Sequence, residues 1–526
     1  MEKGNNMKEV NTSAKCFNGI YEGVIEENGV ISFKGIPYAK PPVGKLRWRA
    51  PEPAEPGNEV FRADSFGKSS IQYECFSEPA SSNETGEDCL TLNVWTGSLE
   101  DGGKPVMFYI HGGGFSWGGT ADPLYDGQYI VENHKDIVVV TCNYRVGLMG
   151  FADFSRVPGG KEYSDSTHLA VLDIIQGLKW VKQNIKVFGG NPDNITVFGE
   201  SAGGALTSIL LVVKEAEGLF HKAVIQSGTL NLTYIQEDSD RAGLVQALME
   251  KTGAENMQDL LDLSEKEIAD AYTGFNDEGF SLNDICVMPL RDRGFIPENP
   301  YEALRNGASK DIPVIIGTNK DEWRYWATVM IDTDHFKKSE EEMAEDIRLY
   351  EKYIADEKYN DAYVCASEEE KKKIIRFLES LGDMDSTWKY TELGNETVFR
   401  MPAIALAYNH KLAGGDTYMY YFCKESDNFD FIGACHASEL AYIFNNPEEK
   451  VYSGTVDKNL ADSMCSMWVE FARSGKPDTD QITWKQYDTE TRATMIIGND
   501  GSLKTENDPL REQRQLLEPF VKYYLK

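Results

Sequence analysis

The residues most suggestive of chemistry lie in the pentapeptide Gly199-Glu200-Ser201-Ala202-Gly203, a G-x-S-x-G pattern. The glycines of this pattern permit a strained turn that raises the serine above a sheet, and the amides of the following helix point toward it. A serine placed in this way is a nucleophile for acyl transfer. Because the chain contains 46 glycines, the pentapeptide can also occur by chance as a tight turn without a catalytic role. The elements and motifs around it are therefore needed to choose between the two interpretations.

A second glycine-rich segment, His111-Gly112-Gly113-Gly114-Phe115, follows an apolar run. Attack of a nucleophile on a carbonyl carbon places negative charge on the carbonyl oxygen, and that oxyanion needs fixed hydrogen-bond donors. Three consecutive glycines let backbone amides approach the oxygen without obstruction by side chains. The alternative is a flexible loop in which His111 bonds to the backbone.

A serine nucleophile needs a histidine as base, and seven histidines are available. In hydrolases with this turn the order along the chain is serine, acid, histidine, which leaves His221, His335, His410 and His436. His436 is the preferred base because it ends Phe431-Ile432-Gly433-Ala434-Cys435-His436, which is typical of a loop after a strand. The other three lie in charged or helical contexts.

The acid that orients the histidine is expected at Asp321 or Glu322, since both follow an apolar strand that ends at Gly317. Spacing alone does not choose between these two carboxylates. Glu439, three residues after His436, is expected to brace the loop. No H-x-x-x-H pattern or second cluster accompanies His436, so the sequence predicts no metal site.

The elements that would position these residues alternate between strands and helices. A helix is expected at 169–185 and another at 205–213, directly after the serine turn, and the chain is expected to close with a helix at 463–473. Alternating elements of this kind predict an α/β fold with a mostly parallel central sheet. The predicted strands are 106–110, 137–142, 194–198, 223–226, 313–317 and 417–422.

Two charged, helical segments, at about 235–300 and 325–400, are interpreted as insertions that cover the active-site edge of the sheet. Within them, 339–353 and 367–381 are the clearest helical patterns. No linker rich in Pro, Gly or Ser divides the chain, and no repeat is evident. We therefore expect a single domain over residues 1–526.

The formal net charge of −32 disfavours binding to nucleic acid or to anionic lipid head groups, because both depend on Lys and Arg. No apolar run approaches the roughly 20 residues that span a membrane. The first residues lack the apolar stretch of a secretory signal, and the nine cysteines form no C-x-x-C pair. We therefore expect a cytoplasmic protein whose cysteines are thiols.

Further motifs occur in an order that strongly resembles the type B carboxylesterases, the α/β-hydrolase family that includes bacterial para-nitrobenzyl esterases and the cholinesterases. The resemblance covers nearly the whole chain. Its motifs are residues 33–48 (FKGIPYAKPPVGKLRW), 87–95 (EDCLTLNVW), the HGGGF loop, Asn143-Tyr144-Arg145, Phe188-Gly189-Gly190-Asn191-Pro192, the GESAGG turn, Gln226-Ser227-Gly228, Gly317-Thr318-Asn319-Lys320-Asp321-Glu322 and 468–477 (WVEFARSGKP).

The resemblance implies an α/β-hydrolase fold and a catalytic triad of Ser201, Glu322 and His436, with Glu322 chosen over Asp321. It also implies that the amides of Gly113, Gly114 and Ala202 form the oxyanion hole. Two further polar residues, Glu200 and Ser227, are expected near the triad. The implied reaction is hydrolysis of small to medium, uncharged carboxylic esters through an acyl-enzyme, without a cofactor.

Three positions depart from the family pattern. Trp323 follows Glu322 where glycine is usual, so the nearby pocket wall is expected to differ. Ser70 stands where a cysteine commonly precedes Gln-Tyr, and Cys75 and Cys89 are expected to be thiols in a reducing compartment. The short loop after Gln72 lacks the tryptophan on which cholinesterases bind quaternary ammonium, which disfavours choline esters.

Two alternatives to an esterase follow from the same residues. Some proteins of this fold have lost a triad residue and act in adhesion or binding, whereas here all three positions are filled. Amides, thioesters and carbamates pass through the same acyl-enzyme chemistry, and the sequence does not separate them from esters. It also leaves the physiological substrate and the oligomeric state open.

Overall fold

The computed structural model describes residues 10–72, 84–235, 241–273, 288–292, 294–325, 368–428, 431–448 and 452–525. In these ranges the strands are β1 Ser13–Cys16, β2 Asn18–Glu22, β3 Val24–Ile25, β4 Ile31–Pro37, β5 Gly57–Arg62, β6 Ser69–Ser70, β7 Thr85–Gly86, β8 Thr91–Thr96, β9 Lys104–Ile110, β10 Val138–Cys142, β11 Gly190–Glu200, β12 Lys222–Gln226, β13 Tyr234–Ile235, β14 Leu290–Arg291, β15 Val314–Asn319, β16 Thr417–Phe422, β17 Ala493–Ile497 and β18 Leu503–Asn507.

Eleven of these strands form one sheet, in the order β18-β17-β16-β15-β12-β11-β9-β10-β8-β4-β3. The consecutive strands β10, β9, β11, β12, β15, β16 and β17 run parallel, and the strands at both ends are antiparallel. The carboxyl ends of the parallel strands therefore meet at one edge. The predicted α/β-hydrolase fold, with a mostly parallel central sheet, is confirmed.

Helices cover both faces of this sheet, and alternate side chains of one strand enter different apolar cores. In β9, Val106, Phe108 and Ile110 belong to one core, whereas Met107 and Tyr109 belong to the other. In the part of the chain that the structure describes, the α-helices are Gln128–Asn133, Gly147–Phe151, Leu169–Asn184, Ala202–Leu210, Arg241–Thr252, Met257–Asp262, Glu265–Thr273, Pro300–Arg305, Glu368–Ser380, Ser386–Gly394, Met401–Leu412, Leu440–Ile443, Lys458–Ser474 and Arg511–Leu525.

The sequence-based elements agree with the structure in place and type for the six predicted strands and for the helices Leu169–Asn184 and Ala202–Leu210. The prediction that the chain closes with the helix at 463–473 is wrong. That helix, Lys458–Ser474, is followed by β17, β18 and the helix Arg511–Leu525. Strand β17 pairs with β16 and extends the sheet, a long-range contact that local periodicity does not indicate.

The two predicted insertions are mostly helical where the structure describes them. The first contains three helices between Arg241 and Thr273, together with the short paired strands β13 and β14. The second contains Glu368–Ser380 and Ser386–Gly394, close to the predicted helix at 367–381. The predicted helix at 339–353 lies outside the described residues.

Candidate active site

Ser201 occupies the turn between β11 and the helix Ala202–Leu210, at the edge where the parallel strands end. Its backbone angles are φ 57° and ψ −124°, a conformation that costs a non-glycine residue about 1–3 kcal/mol. The turn is held because the amide of Ser201 donates to the carbonyl of Gln226 at 2.9 Å, on the neighbouring strand. The strain raises the side chain above the strand end, as the G-x-S-x-G pattern predicts.

The two glycines of the pentapeptide are required by close packing. A Cβ atom on Gly203 would lie 2.0 Å from the carbonyl oxygen of Ile110, at the end of β9. A Cβ atom on Gly199 would lie 2.5 Å from the carbonyl oxygen of Gly203. Both distances are shorter than a contact between these atoms allows, so the turn and helix approach the sheet only because these side chains are absent.

The glycine loop after β9 lies against the serine turn. A Cβ atom on Gly112 would lie 3.2 Å from the Cβ of Ser201 and 3.0 Å from Oε2 of Glu200. Gly113 and Gly114 have positive φ angles of 106° and 54°, which turn the loop back on itself. A side chain on Gly113 would collide with the carbonyl of Trp117, 2.1 Å from the Cβ position.

The backbone amides of Gly113, Gly114 and Ala202 are among those in this region that have no backbone acceptor within the described part of the chain. The amide of Ala202 is the first of its helix, where no carbonyl of the preceding turn is available to accept it. The other two belong to the loop that packs on the Ser201 turn. These amides are therefore available to a ligand oxygen.

His111 holds the glycine loop in place through contacts of its ring and its backbone carbonyl. Its Nδ1 lies 2.8 Å from the carbonyl oxygen of Gly112, and its ring stacks on Tyr144 with a centroid distance of 4.2 Å. The hydroxyl of Tyr144 donates to the carbonyl of His111 at 2.7 Å. Burial lowers the pKa of His111 to about 4, so this imidazole is neutral near pH 7. These contacts agree with the loop-holding interpretation of His111.

His436 lies beside a carboxylate, as expected of a base. Its Nδ1 is 2.6 Å from Oε2 of Glu322, and both side chains are buried. The other oxygen of Glu322 accepts the backbone amide of Asn319 at 2.7 Å. Because both of its oxygens are engaged, the carboxylate has a fixed direction.

Asp321, which the spacing left as an alternative acid, has a different set of contacts. Its Oδ2 accepts the backbone amide of Ala434 at 2.9 Å, and its Oδ1 lies 3.1 Å from the guanidinium of Arg324. The amide of Asp321 donates in turn to the carbonyl of Ala434. Asp321 therefore holds the loop before His436, whereas Glu322 contacts the imidazole.

A second carboxylate approaches the other nitrogen of the histidine. Oε1 of Glu200, the residue before Ser201, lies 3.1 Å from Nε2 of His436. Burial of the imidazole acts to lower its pKa, but the carboxylates of Glu200, Glu322 and Glu439 outweigh burial and raise the pKa of His436 to about 9. The structure thus brings Glu200 and Glu322 to opposite sides of one imidazole.

Two residues that sequence reasoning did not single out, Gln226 and Asn319, end neighbouring strands and share the buried carboxylate of Glu439. The amide of Gln226 donates to its Oε1 at 3.1 Å, and that of Asn319 donates to its Oε2 at 2.6 Å. Asn319 also donates to the carbonyl of Cys435 at 2.8 Å. Glu439 therefore ties the histidine loop to β12 and β15, which agrees with its expected bracing role.

The structure also shows the contacts of Ser227 and of two of the other candidate histidines. Ser227, directly after β12, is buried with a φ of 49°, and its amide donates to the carbonyl of Gly317. His221 accepts the amide of Ile195, and buried His410 lies 2.8 Å from the hydroxyl of Thr417, so neither contacts a carboxylate of this site. His335 lies outside the described residues.

The departures from the family pattern have local consequences. Trp323 packs its indole on Gly394, where a Cβ atom would come within 2.7 Å of the ring. The hydroxyl of Ser70 accepts the amide of Val146 at 3.3 Å, so this position is used as a polar link. Cys89 is a buried free thiol, and Cys75 lies outside the described residues.

A family model described as "Carboxylesterase family" matches residues 6–516. The para-nitrobenzyl esterase of Bacillus subtilis is 35% identical over 511 residues, covering 94% of this chain and 96% of that relative. The liver carboxylesterase of Sus scrofa is 31% identical over 512 residues, covering 90% of this chain and 86% of the relative.

Solved structures of esterases are also similar to this chain. A Geobacillus stearothermophilus carboxylesterase, in its structure at pH 6.2, superposes with a TM-score of 0.82 at 31% identity, covering 96% of this chain and 100% of that chain. A structure of a PNB esterase gives a TM-score of 0.80 at 32% identity, covering 96% and 99%. Among the residues described, no helix is both long and apolar enough to cross a bilayer. The chain therefore belongs to the carboxylesterase family and is a hydrolase of carboxylic esters.

Proposed function

We propose that this enzyme hydrolyses small to medium, uncharged esters with Ser201 as nucleophile, His436 as base and Glu322 as the acid that orients it. The 2.6 Å contact between His436 and Glu322, at the sheet edge that carries Ser201, is the observation that supports the proposal most strongly. The carboxylate of Glu322 accepts a hydrogen bond from the N–H group of Nδ1, which leaves Nε2 as the basic nitrogen.

In the proposed reaction the oxygen of Ser201 bonds to the ester carbonyl carbon while its proton passes to Nε2 of His436. The amides of Gly113, Gly114 and Ala202 donate to the oxyanion. As the carbon–alcohol bond breaks, His436 returns the proton to the leaving alcohol and the acyl group remains on Ser201. Water then attacks the acyl-enzyme by the same proton route, releasing the acid and regenerating Ser201.

Glu200 is proposed to stabilise the imidazolium that forms in both steps, because its carboxylate lies beside Nε2. The same charge raises the pKa of the resting histidine, which favours its protonated form, and that form does not accept the serine proton. Ser227 is proposed to be a buried polar residue near the triad, held directly after β12 by the hydrogen bond from its amide to the carbonyl of Gly317 on β15.

The pH dependence of kcat/KM follows from this arrangement. Only neutral His436 accepts the serine proton, and its pKa is raised to about 9, so kcat/KM for an uncharged ester should rise as pH increases from 6 toward 9. In Glu200→Gln one negative charge is lost, the pKa of His436 falls, and this rise should move to lower pH by about one unit. The exposed variant Glu217→Gln is the control. A Glu200→Gln profile that overlays the wild-type profile contradicts the assignment.

The substrate class is tested with para-nitrophenyl esters from acetate to decanoate. We expect kcat/KM to peak at short to medium acyl chains. The formal charge of −32 should also disfavour anionic substrates, so the butyrate ester should react faster than the succinate monoester, whose acyl chain has the same four carbons but ends in a carboxylate. A preference for decanoate, or equal rates for butyrate and succinate, contradicts the proposed class.

We also propose the cytoplasm as the compartment. This proposal is supported by the free thiols of Cys16, Cys89, Cys142, Cys423, Cys435 and Cys465, because disulfides are rare in reducing compartments.

A further inference from the structure

A π-helical turn, Asn395–Arg400, interrupts the helical segment between Ser386–Gly394 and Met401–Leu412. Turns of this kind are rare and are often found at functional sites. Most of its side chains, including Asn395 and Phe399, are buried. The turn lies at the end of the second predicted insertion, and it contacts loops that carry the proposed acid and base.

The first contact reaches the acid. Oδ1 of Asn395 accepts the backbone amide of Trp323 at 2.7 Å. Trp323 directly follows Glu322, so this bond fixes the peptide that carries the carboxylate. The indole of Trp323 lies against Gly394, just before the turn, which adds an apolar contact to the same junction. The insertion is thereby attached to the loop after β15.

The second contact reaches the base. The centroid of the Phe399 ring lies 5.0 Å from the centroid of the His436 imidazole, and the angle between the two ring planes is 48°. The same ring lies 6.2 Å from the indole of Trp323. Phe399 is only 4% exposed, so it fills the space beside the imidazole and restricts its rotation. Asn395 and Phe399 therefore act on adjacent members of the proposed triad.

The turn is itself anchored. Arg400 forms two 2.6 Å hydrogen bonds with the carboxylate of Glu396 and donates to the carbonyl of Pro509 at 3.3 Å. On the other side, the amide of Asn231, in the loop after β12, donates to the carbonyl of Val398 at 3.1 Å. The bonds to Pro509 and Asn231, which lie outside the turn, hold the side chains of the turn in a fixed position.

We propose that the turn Asn395–Arg400 is a positioning element for the acid and the base: Asn395 fixes the backbone next to Glu322, and Phe399 packs on the imidazole of His436. This inference rests on the proposed roles of those two residues. Displacing a reacting group by about 1 Å costs up to about a hundredfold in rate. The insertion thus contributes to turnover and does not only cover the site.

The test compares Asn395→Ala and Phe399→Leu with Thr391→Val, a buried control in the preceding helix whose hydroxyl donates to Trp388. The full-length protein is used, and the end point of fluorophosphonate labelling counts the folded, reactive sites. The kcat and KM for para-nitrophenyl acetate, and the rate constant of labelling, are then expressed per reactive site.

We expect each turn variant to lower kcat per reactive site by about tenfold or more, with KM within about twofold of wild type, and to slow labelling in parallel. Thr391→Val should match the wild type. The inference is overturned if kcat per reactive site is unchanged, if only KM rises, or if Thr391→Val loses as much. If Ser201→Ala is inactive while the turn variants behave as wild type, only this inference fails. An active Ser201→Ala would instead refute the proposed function.

Discussion

Replacing Ser201 with alanine is expected to lower kcat for para-nitrophenyl esters by about five to six orders of magnitude, because the members of a triad act as one unit. Without the hydroxyl no acyl-enzyme forms, and only the effect of substrate binding and the oxyanion donors on direct attack by water remains. The variant should fold normally, because the change removes only one side-chain oxygen and the backbone hydrogen bond from residue 201 to Gln226 remains. Initial rates with wild type and variant at equal concentration measure the loss.

Ser208→Ala is the matched control for this experiment. Ser208 lies in the helix that follows Ser201, and its hydroxyl donates to the carbonyl of Ala205 at 2.7 Å. This variant also removes one hydroxyl oxygen, but from the helix that follows the turn, and it leaves the turn unchanged, so its kcat should stay within about threefold of wild type. A Ser201→Ala protein that keeps most of its activity refutes Ser201 as nucleophile.

The variant Glu322→Gln is expected to lower kcat by about 10⁴-fold. A glutamine at this position can donate to Nδ1 of His436, which moves the ring proton to Nε2 and removes the base that Ser201 needs. The amide also carries no charge to stabilise the imidazolium. The change is nearly isosteric, so circular dichroism and the melting temperature should stay close to those of wild type.

Asp321→Asn separates the two neighbouring carboxylates. Asparagine keeps an oxygen that accepts the amide of Ala434 but loses the charge facing Arg324. We expect a lower melting temperature and a kcat reduced by no more than about tenfold, since the contact between Glu322 and His436 is retained. If Asp321→Asn loses more turnover than Glu322→Gln, the assignment of the acid is wrong.

Much of the site could be predicted from the sequence because the residues that carry it lie at strand ends. Ser201 follows β11, the glycine loop follows β9 and Glu322 follows β15 after a short loop. In a parallel sheet these ends meet at one edge, so a correct prediction of the strands brings distant residues together. His436 could be chosen because the competing histidines lacked a suitable loop.

The supporting residues could not be predicted in this way. Asn319 was visible within the acid motif, but its bonds to Glu439 and Cys435 depend on how the histidine loop folds back on β15. Asn395 and Phe399 lie in an insertion whose helical pattern says nothing about which loop it contacts. The choice of Glu322 over Asp321 came from the family resemblance, because spacing does not show which of two adjacent carboxylates faces the imidazole.

The most direct test of the proposed nucleophile is covalent labelling with a fluorophosphonate, followed by digestion and mass spectrometry of the peptides. We predict one adduct per chain, on Ser201, formed more slowly in Glu322→Gln and not at all in Ser201→Ala. An adduct on another residue, or folded wild-type protein that takes up no label, would contradict the assignment of Ser201 as the nucleophile.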